Sequence, residues 1–274
     1  MRKASVCVLL GFILFLSGCN DRIENGGLNV VAPIEPVKFI IEQILQDKGN
    51  ATSLLSSNQD AHSSETMPIL MKTVASSDLI FFLGTGIEFE ERNKVALIEN
   101  AKDVSVVLLS ENFDSLYDPH IWVSLKNIKI IAYAVCEALS AYDRENAGFY
   151  TKNCEDFISK ANYADSALSS SLSERKIKRI FTDHTAFSYL ASDYLITQTG
   201  LFSEGKDISI KDISSAVNEM KADSDRIFIL TSNSNEKYAE IFKRDADAHV
   251  IFFNPLSEDI ISEFLKLAKS LKND

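Results

Sequence analysis

The chain has 274 residues, 46% of them hydrophobic, and a formal charge of −11. Such an acidic balance excludes the basic surface that nucleic-acid binding requires. Its apolar content can fill one large core or two small ones.

The first nineteen residues bear on the compartment. Arg2 and Lys3 form a short basic region, and Val6 to Leu16 supply an apolar run. That run falls short of the ~20 residues that span a bilayer but suits the core of a signal peptide. Leu16-Ser17-Gly18-Cys19 resembles a bacterial lipobox, in which the cysteine is lipidated and becomes the new N-terminus. Residues 1–18 are therefore expected to be a signal peptide, and residues 19–27 a lipidated tether ending in Gly26-Gly27. Loss of Arg2 and Lys3 would take the charge from −11 to −13. No second apolar stretch approaches membrane-spanning length, so the expected product is extracytoplasmic and held to a bacterial membrane by its lipid alone. Cys136 and Cys154 remain in the body, on neighbouring predicted helices, where they either pair or stay free.

Beyond the tether, apolar runs alternate with segments of helical periodicity. Strands are predicted at Leu28–Ala32, weakly at Ser53–Ser56, and strongly at Leu79–Leu83 and Val104–Leu109. Helices are predicted at Pro36–Leu45, Pro68–Ser76, Glu88–Asn100 and Leu125–Leu139. A longer helix follows, from about Glu145 to Leu172, and at 1.5 Å per residue it would span roughly 40 Å. The alternation then resumes, with strands at Arg179–Thr182, Arg226–Leu230 and Val250–Phe253 and helices at Phe187–Tyr194, Ile210–Lys221, Asn235–Arg244 and Glu258–Leu271. Strands that are apolar throughout, separated by helices, imply parallel sheets covered on both faces. The pattern reads as an α/β protein of two lobes, residues 28–142 and 175–274, joined by a connecting helix over 143–174. No internal sequence repeat is visible.

The chain has four histidines, and three fall where a ligand site should form. His62 lies just past the weak strand, His120 in the loop after Val104–Leu109, and His184 directly after the strand ending at Thr182. Open α/β sheets bind ligands beyond the carboxyl ends of their strands. His249 precedes its strand and belongs to the opposite edge. Imidazole suits zinc, copper, nickel or iron, and three imidazoles with one oxygen make a tetrahedral zinc site.

Several segments, in order and spacing, resemble the metal-binding lipoprotein family that serves zinc and manganese ABC transporters (ZnuA-like receptors, also described as adhesin lipoproteins). Asp60-Ala61-His62-Ser63-Ser64-Glu65 resembles the family's Asp-Pro-His-x-x-Glu, with Ala61 in place of proline. Ser77-Asp78-Leu79-Ile80 and Gly84-Thr85-Gly86-Ile87-Glu88 resemble its Ala-Asp-Leu-x and Asn-Gly-x-x-Glu stretches. Asp118-Pro119-His120-Ile121-Trp122 matches its Asp-Pro-His-x-Trp, and Tyr150-Thr151-Lys152-Asn153 its Tyr-x-x-Asn. His184-Thr185-Ala186-Phe187-Ser188-Tyr189-Leu190 resembles its His-x-Ala-Phe-x-Tyr-Leu.

The resemblance implies a metal site in the cleft between lobes, with His62, His120 and His184 as ligands. Histidine at the third position, where manganese receptors carry glutamate, favours zinc over manganese, as ligand softness also does. The family's fourth ligand is a carboxylate, but the matching stretch here is Phe253-Asn254-Pro255-Leu256. Asn254 either offers a neutral amide oxygen, leaves the position to water, or weakens the site. Glu65 stands three residues after His62, as a hydrogen-bond partner or a substitute ligand. The histidine-rich loop of many zinc receptors is absent from Glu111–Tyr117, which keeps manganese or iron open.

The implied function is a monomeric solute-binding lipoprotein that captures zinc and hands it to an ABC-transporter permease. Neutral imidazoles are needed for coordination, so affinity should fall below about pH 6. One rival is a secreted hydrolase using the same histidines and a metal-bound water. Another is a surface adhesin on the same scaffold. Neither Gly-x-Ser-x-Gly nor His-Glu-x-x-His occurs in the chain. Trp122 is expected to buttress the His120 loop.

Overall fold

A computed structural model describes residues 27–56, 68–101, 104–201, 209–231 and 236–272. The expectations for residues 1–26, including Cys19, and for His62 and Glu65 lie outside the described residues.

The N-terminal lobe is a four-stranded parallel sheet. Its strands are β1 (Leu28–Ile34), β2 (Gly49–Leu55), β3 (Leu79–Phe82) and β4 (Ser105–Leu108), in the order β2-β1-β3-β4. The helices α1 (Glu35–Leu45), α2 (Pro68–Ala75) and α3 (Glu88–Asn100) make the connections. β3 is buried along its whole length, which is why Leu-Ile-Phe-Phe shows no alternation. β1 runs two residues past the expected end, through Pro33. Proline is tolerated there because β1 pairs with β3 only at Val30 and Val31, so no ladder bond to β3 is lost.

α4 (Leu125–Tyr142) leads into the connecting helix α5 (Ala147–Glu174), whose 28 residues span roughly 42 Å. Ser124 caps α4 by accepting a hydrogen bond from the Asn127 N–H. On α5, Asn153 donates to the Ile44 carbonyl at 3.0 Å, and the Tyr150 hydroxyl donates to Asp143 at 2.7 Å. The matched Tyr-x-x-Asn stretch therefore pins the helix to the first lobe. Cys136 and Cys154 face each other between α4 and α5 as thiols. Burial first, and the neighbouring Cys136 second, push the Cys154 thiol up to about 12.

The second lobe repeats the topology. Its strands are β5 (Arg179–Thr182), β6 (Thr197–Gly200), β7 (Ile227–Thr231) and β8 (His249–Phe253), all parallel, in the order β6-β5-β7-β8. Its helices are α6 (Ser188–Asp193), α7 (Ile210–Lys221), α8 (Glu236–Ala246) and α9 (Ile260–Lys272). β6 has no counterpart among the sequence expectations. It reads Thr-Gln-Thr-Gly, pairs only with β5 at the sheet edge, and carries none of the apolar signal of a central strand. His249 opens β8 at the edge away from the carboxyl ends.

One continuous apolar core runs from β1 through α1, α4 and α5 to α9, and a smaller cluster fills the outer face of the second sheet. Alanines 161 and 164 and Leu168 of α5 are fully buried in the larger one. The connecting helix is thus a shared wall of both lobes. Chain reversals after helices are made with little glycine: Lys176, Leu195 and Asp247 adopt positive φ near +50°. Ile177 and Ile196 close these turns by donating back to Leu172 and Ala191, the pattern that usually takes glycine.

Candidate metal centre

Both sheets reverse strand order between their first and third strands, and the carboxyl ends at those reversals face the cleft. His184 follows β5 by two residues. His120 comes on a longer loop after β4, which a 3-10 turn at Leu109–Asn112 begins. The two rings meet edge to face across the lobes, centroids 5.6 Å apart.

Each ring is held by a carboxylate one or two residues before it in sequence. His120 Nδ1 donates to Asp118 Oδ1 at 2.8 Å, and the same oxygen accepts the His120 backbone N–H at 2.8 Å. His184 Nδ1 faces Asp183 Oδ1 at 3.3 Å. The other oxygen of Asp183 accepts from the Thr231 N–H at 3.1 Å and its hydroxyl at 2.6 Å. Asp183 therefore spans β5 and β7 at the point where the strand order reverses. With Nδ1 committed to a carboxylate, each ring presents Nε2 to the cleft, the tautomer that a metal site with such partners fixes.

Both carboxylates are buried, and Asp118 stays ionised. Burial alone would raise its pKa, but hydrogen bonds from His120 and Ser188 outweigh that and hold it below the usual range. Sequence reasoning quoted Asp118 only as part of a motif and passed over Asp183. The signal was there in Asp-x-His and Asp-His, since a neighbouring acid is the commonest way to orient a ligating imidazole.

Trp122 packs 5.3 Å from the His120 ring and is almost wholly buried. Its indole N–H donates to the Pro255 carbonyl at 2.8 Å, so it ties the His120 loop to the second lobe as well as buttressing it. That bond brings the Asn254 turn against the first lobe. Asn254 Oδ1 accepts from the Leu256 N–H at 3.0 Å, and its own N–H donates to Glu263 at 3.2 Å. Tyr117 and Tyr189 close a further contact between lobes, with centroids 4.3 Å apart. Among the described residues, no three His, Cys, Asp or Glu side chains gather as a metal cluster. His120 and His184 stand as a pair, and His62 belongs to a stretch outside the described residues.

The family described as zinc-uptake complex component A, periplasmic, matches residues 30–271. A putative metal-binding protein of Chlamydia trachomatis serovar D is 28% identical over 250 residues, covering 89% of this chain and 90% of its own length. The manganese ABC transporter substrate-binding lipoprotein PsaA of Streptococcus mitis is 27% identical over 292 residues, covering 96% and 93%. Among solved structures, a crystal structure of ZnuA superposes with a TM-score of 0.82 at 20% identity, over 90% of this chain and 98% of that one. That last likeness concerns the fold.

Proposed function

The chain belongs to the zinc-uptake complex component A periplasmic family, and from that premise we infer that it captures a transition-metal ion, zinc by preference, outside the cytoplasm and passes it to an ABC-transporter permease. The observation that carries this reading is the pair of imidazoles, one from each lobe, each backed by its own buried aspartate. A dication in the cleft would bind Nε2 of His120 and His184, with His62 as the third imidazole. Asp118 and Asp183 supply negative charge just behind the rings, which offsets the neutral Asn254 where the family has a carboxylate. Their hydrogen bonds also raise the basicity of the imidazoles.

Zinc is the preferred cargo because an all-imidazole set favours it over manganese, which prefers oxygen ligands. Manganese is the alternative, as the name of the streptococcal relative indicates. The protein works as a carrier and performs no catalysis. It is monomeric and held at the membrane through a lipid on Cys19; among the described residues, no helix is long and apolar enough to cross a bilayer. The shared core along α5 supports a cleft that closes by small lobe adjustments, with capture and release set at the metal.

Elemental analysis after equilibrium dialysis against zinc tests the reading. The wild-type protein should retain one zinc per chain, and His62→Ala, His120→Ala and His184→Ala should each lose it. Retention of zinc in all three variants would contradict the assignment.

A further inference from the structure

His120 rides on a loop, twelve residues past the end of β4, so something beyond Asp118 must fix where its backbone sits. The turn after β3 does this. Thr85 Oγ1 donates to the Pro119 carbonyl at 2.9 Å, one residue before His120 and 34 positions away in sequence. That turn is itself clamped. Glu90, at the third position of α3, reaches back so that Oε1 accepts the Leu83 N–H at 2.6 Å and Oε2 the Gly84 N–H at 2.8 Å. A glutamate at this helix position ordinarily serves the N–H of the residue that begins the helix. Glu90 instead passes over Ile87 and secures the far end of the turn.

The turn is tightly fitted at Gly84. Gly84 has φ +68°, and an added Cβ would fall 2.4 Å from the Ser110 hydroxyl. Ser110 in turn donates its N–H to the Leu83 carbonyl at 2.9 Å. The Glu90 carboxylate is bought at a cost in solvation: it is 3% exposed, and burial pushes it up to about 7 even though two N–H groups pull it down. A buried acid with both oxygens spent on two successive N–H groups fixes backbone, and the next contact along is the metal-site loop.

We infer that Glu90 is a positioning residue for the metal centre, setting the His120 imidazole through the Gly84 turn and the Thr85–Pro119 hydrogen bond. The inference rests on the reading of His120 as a ligand. In its absence the His120 loop would keep Asp118 but lose its anchor to the sheet, and the imidazole would reach the metal in a broader set of positions. Preorganised ligands bind more tightly because less ordering is left to the binding step.

The test uses the full mature chain, with zinc affinity measured by competition against a chromophoric chelator and the visible spectrum of the cobalt-loaded protein as a second readout. Thr85→Val keeps shape and removes the donor, so it should weaken zinc binding about 3- to 10-fold, less than the roughly 10- to 100-fold typical of groups bonded directly to a ligand. Thr85→Ser should restore it. Glu90→Gln should weaken binding in the same direction, and both Thr85→Val and Glu90→Gln should shift the cobalt bands, which a loss of stability alone leaves in place. Wild-type affinity and an unchanged cobalt spectrum in Thr85→Val would overturn the proposal while leaving the metal reading intact. Failure of the wild-type chain to bind zinc through His120 would sink both, and is distinguished by the His120→Ala control.

Discussion

The two lobes share a topology but hold their histidines in different ways. In the second lobe His184 stands two residues beyond β5, and one aspartate bonded to the neighbouring strand orients it. In the first lobe His120 stands at the end of a twelve-residue excursion from β4. It needs its own aspartate, a tryptophan bonded to the other lobe, and a clamp that starts from a buried glutamate. A ligand on a strand end inherits the sheet's rigidity. A ligand on a loop must have its rigidity built from side chains, and the buried acids among them carry a desolvation cost.

The largest expected effect tests that cost. Glu90 folds with its carboxyl pushed up to about 7, against 4.5 as its ordinary value, chiefly by burial. A group whose folded pKa is raised adds stability below its unfolded pKa, and that stability is lost as pH rises through the folded value. Between pH 5 and 8 the wild-type chain should therefore lose ~2–3 kcal/mol relative to Glu90→Gln, read from urea denaturation at each pH. A difference between the two proteins that is flat with pH would mean that the clamp is not buried as described.

The next effect compares the aspartates directly. Asp183→Asn and Asp118→Asn each leave an imidazole without its carboxylate, and each should weaken zinc binding roughly 10- to 100-fold. Asp118→Asn should cost less, because Trp122 and the Thr85 bond still hold the His120 loop. A larger loss for Asp118→Asn would reverse the comparison and make the carboxylate the main support of both arms.

The smallest effect lies in the second lobe alone. Leu195 is 90% exposed and sits at φ +55°, where a side chain is strained and buries nothing in compensation. Leu195→Gly should raise the stability by about 0.5–1 kcal/mol without touching zinc affinity. A drop in stability would show that the leucine makes contacts its exposure does not reveal.

Much of this was legible in the sequence, and what was missed shares a physical reason. Apolar strands such as Leu79–Phe82 and well-patterned helices such as Ile210–Lys221 and Ile260–Lys272 announce themselves, because burial on both faces or on one stripe dictates residue type. Thr197–Gly200 did not, because an edge strand needs little apolar surface, and the polar start of β2 at Gly49 was lost for the same reason. The two lobes repeat one topology with no visible repeat in sequence, since order in a sheet depends on packing partners and leaves no fixed residue signature. His120 and His184 were readable from their position after strands. The Glu90–Thr85–Pro119 link was not, because it joins two loops that only the folded sheet brings together.

What the cleft holds decides the assignment. The chain from residue 20 onward, stripped with a chelator, should be titrated calorimetrically with zinc and with manganese, beside His184→Ala. One-to-one zinc binding far tighter than manganese, and lost in His184→Ala, is the predicted result. Binding of neither metal, or zinc binding untouched by His184→Ala, would contradict a zinc site assembled from both lobes.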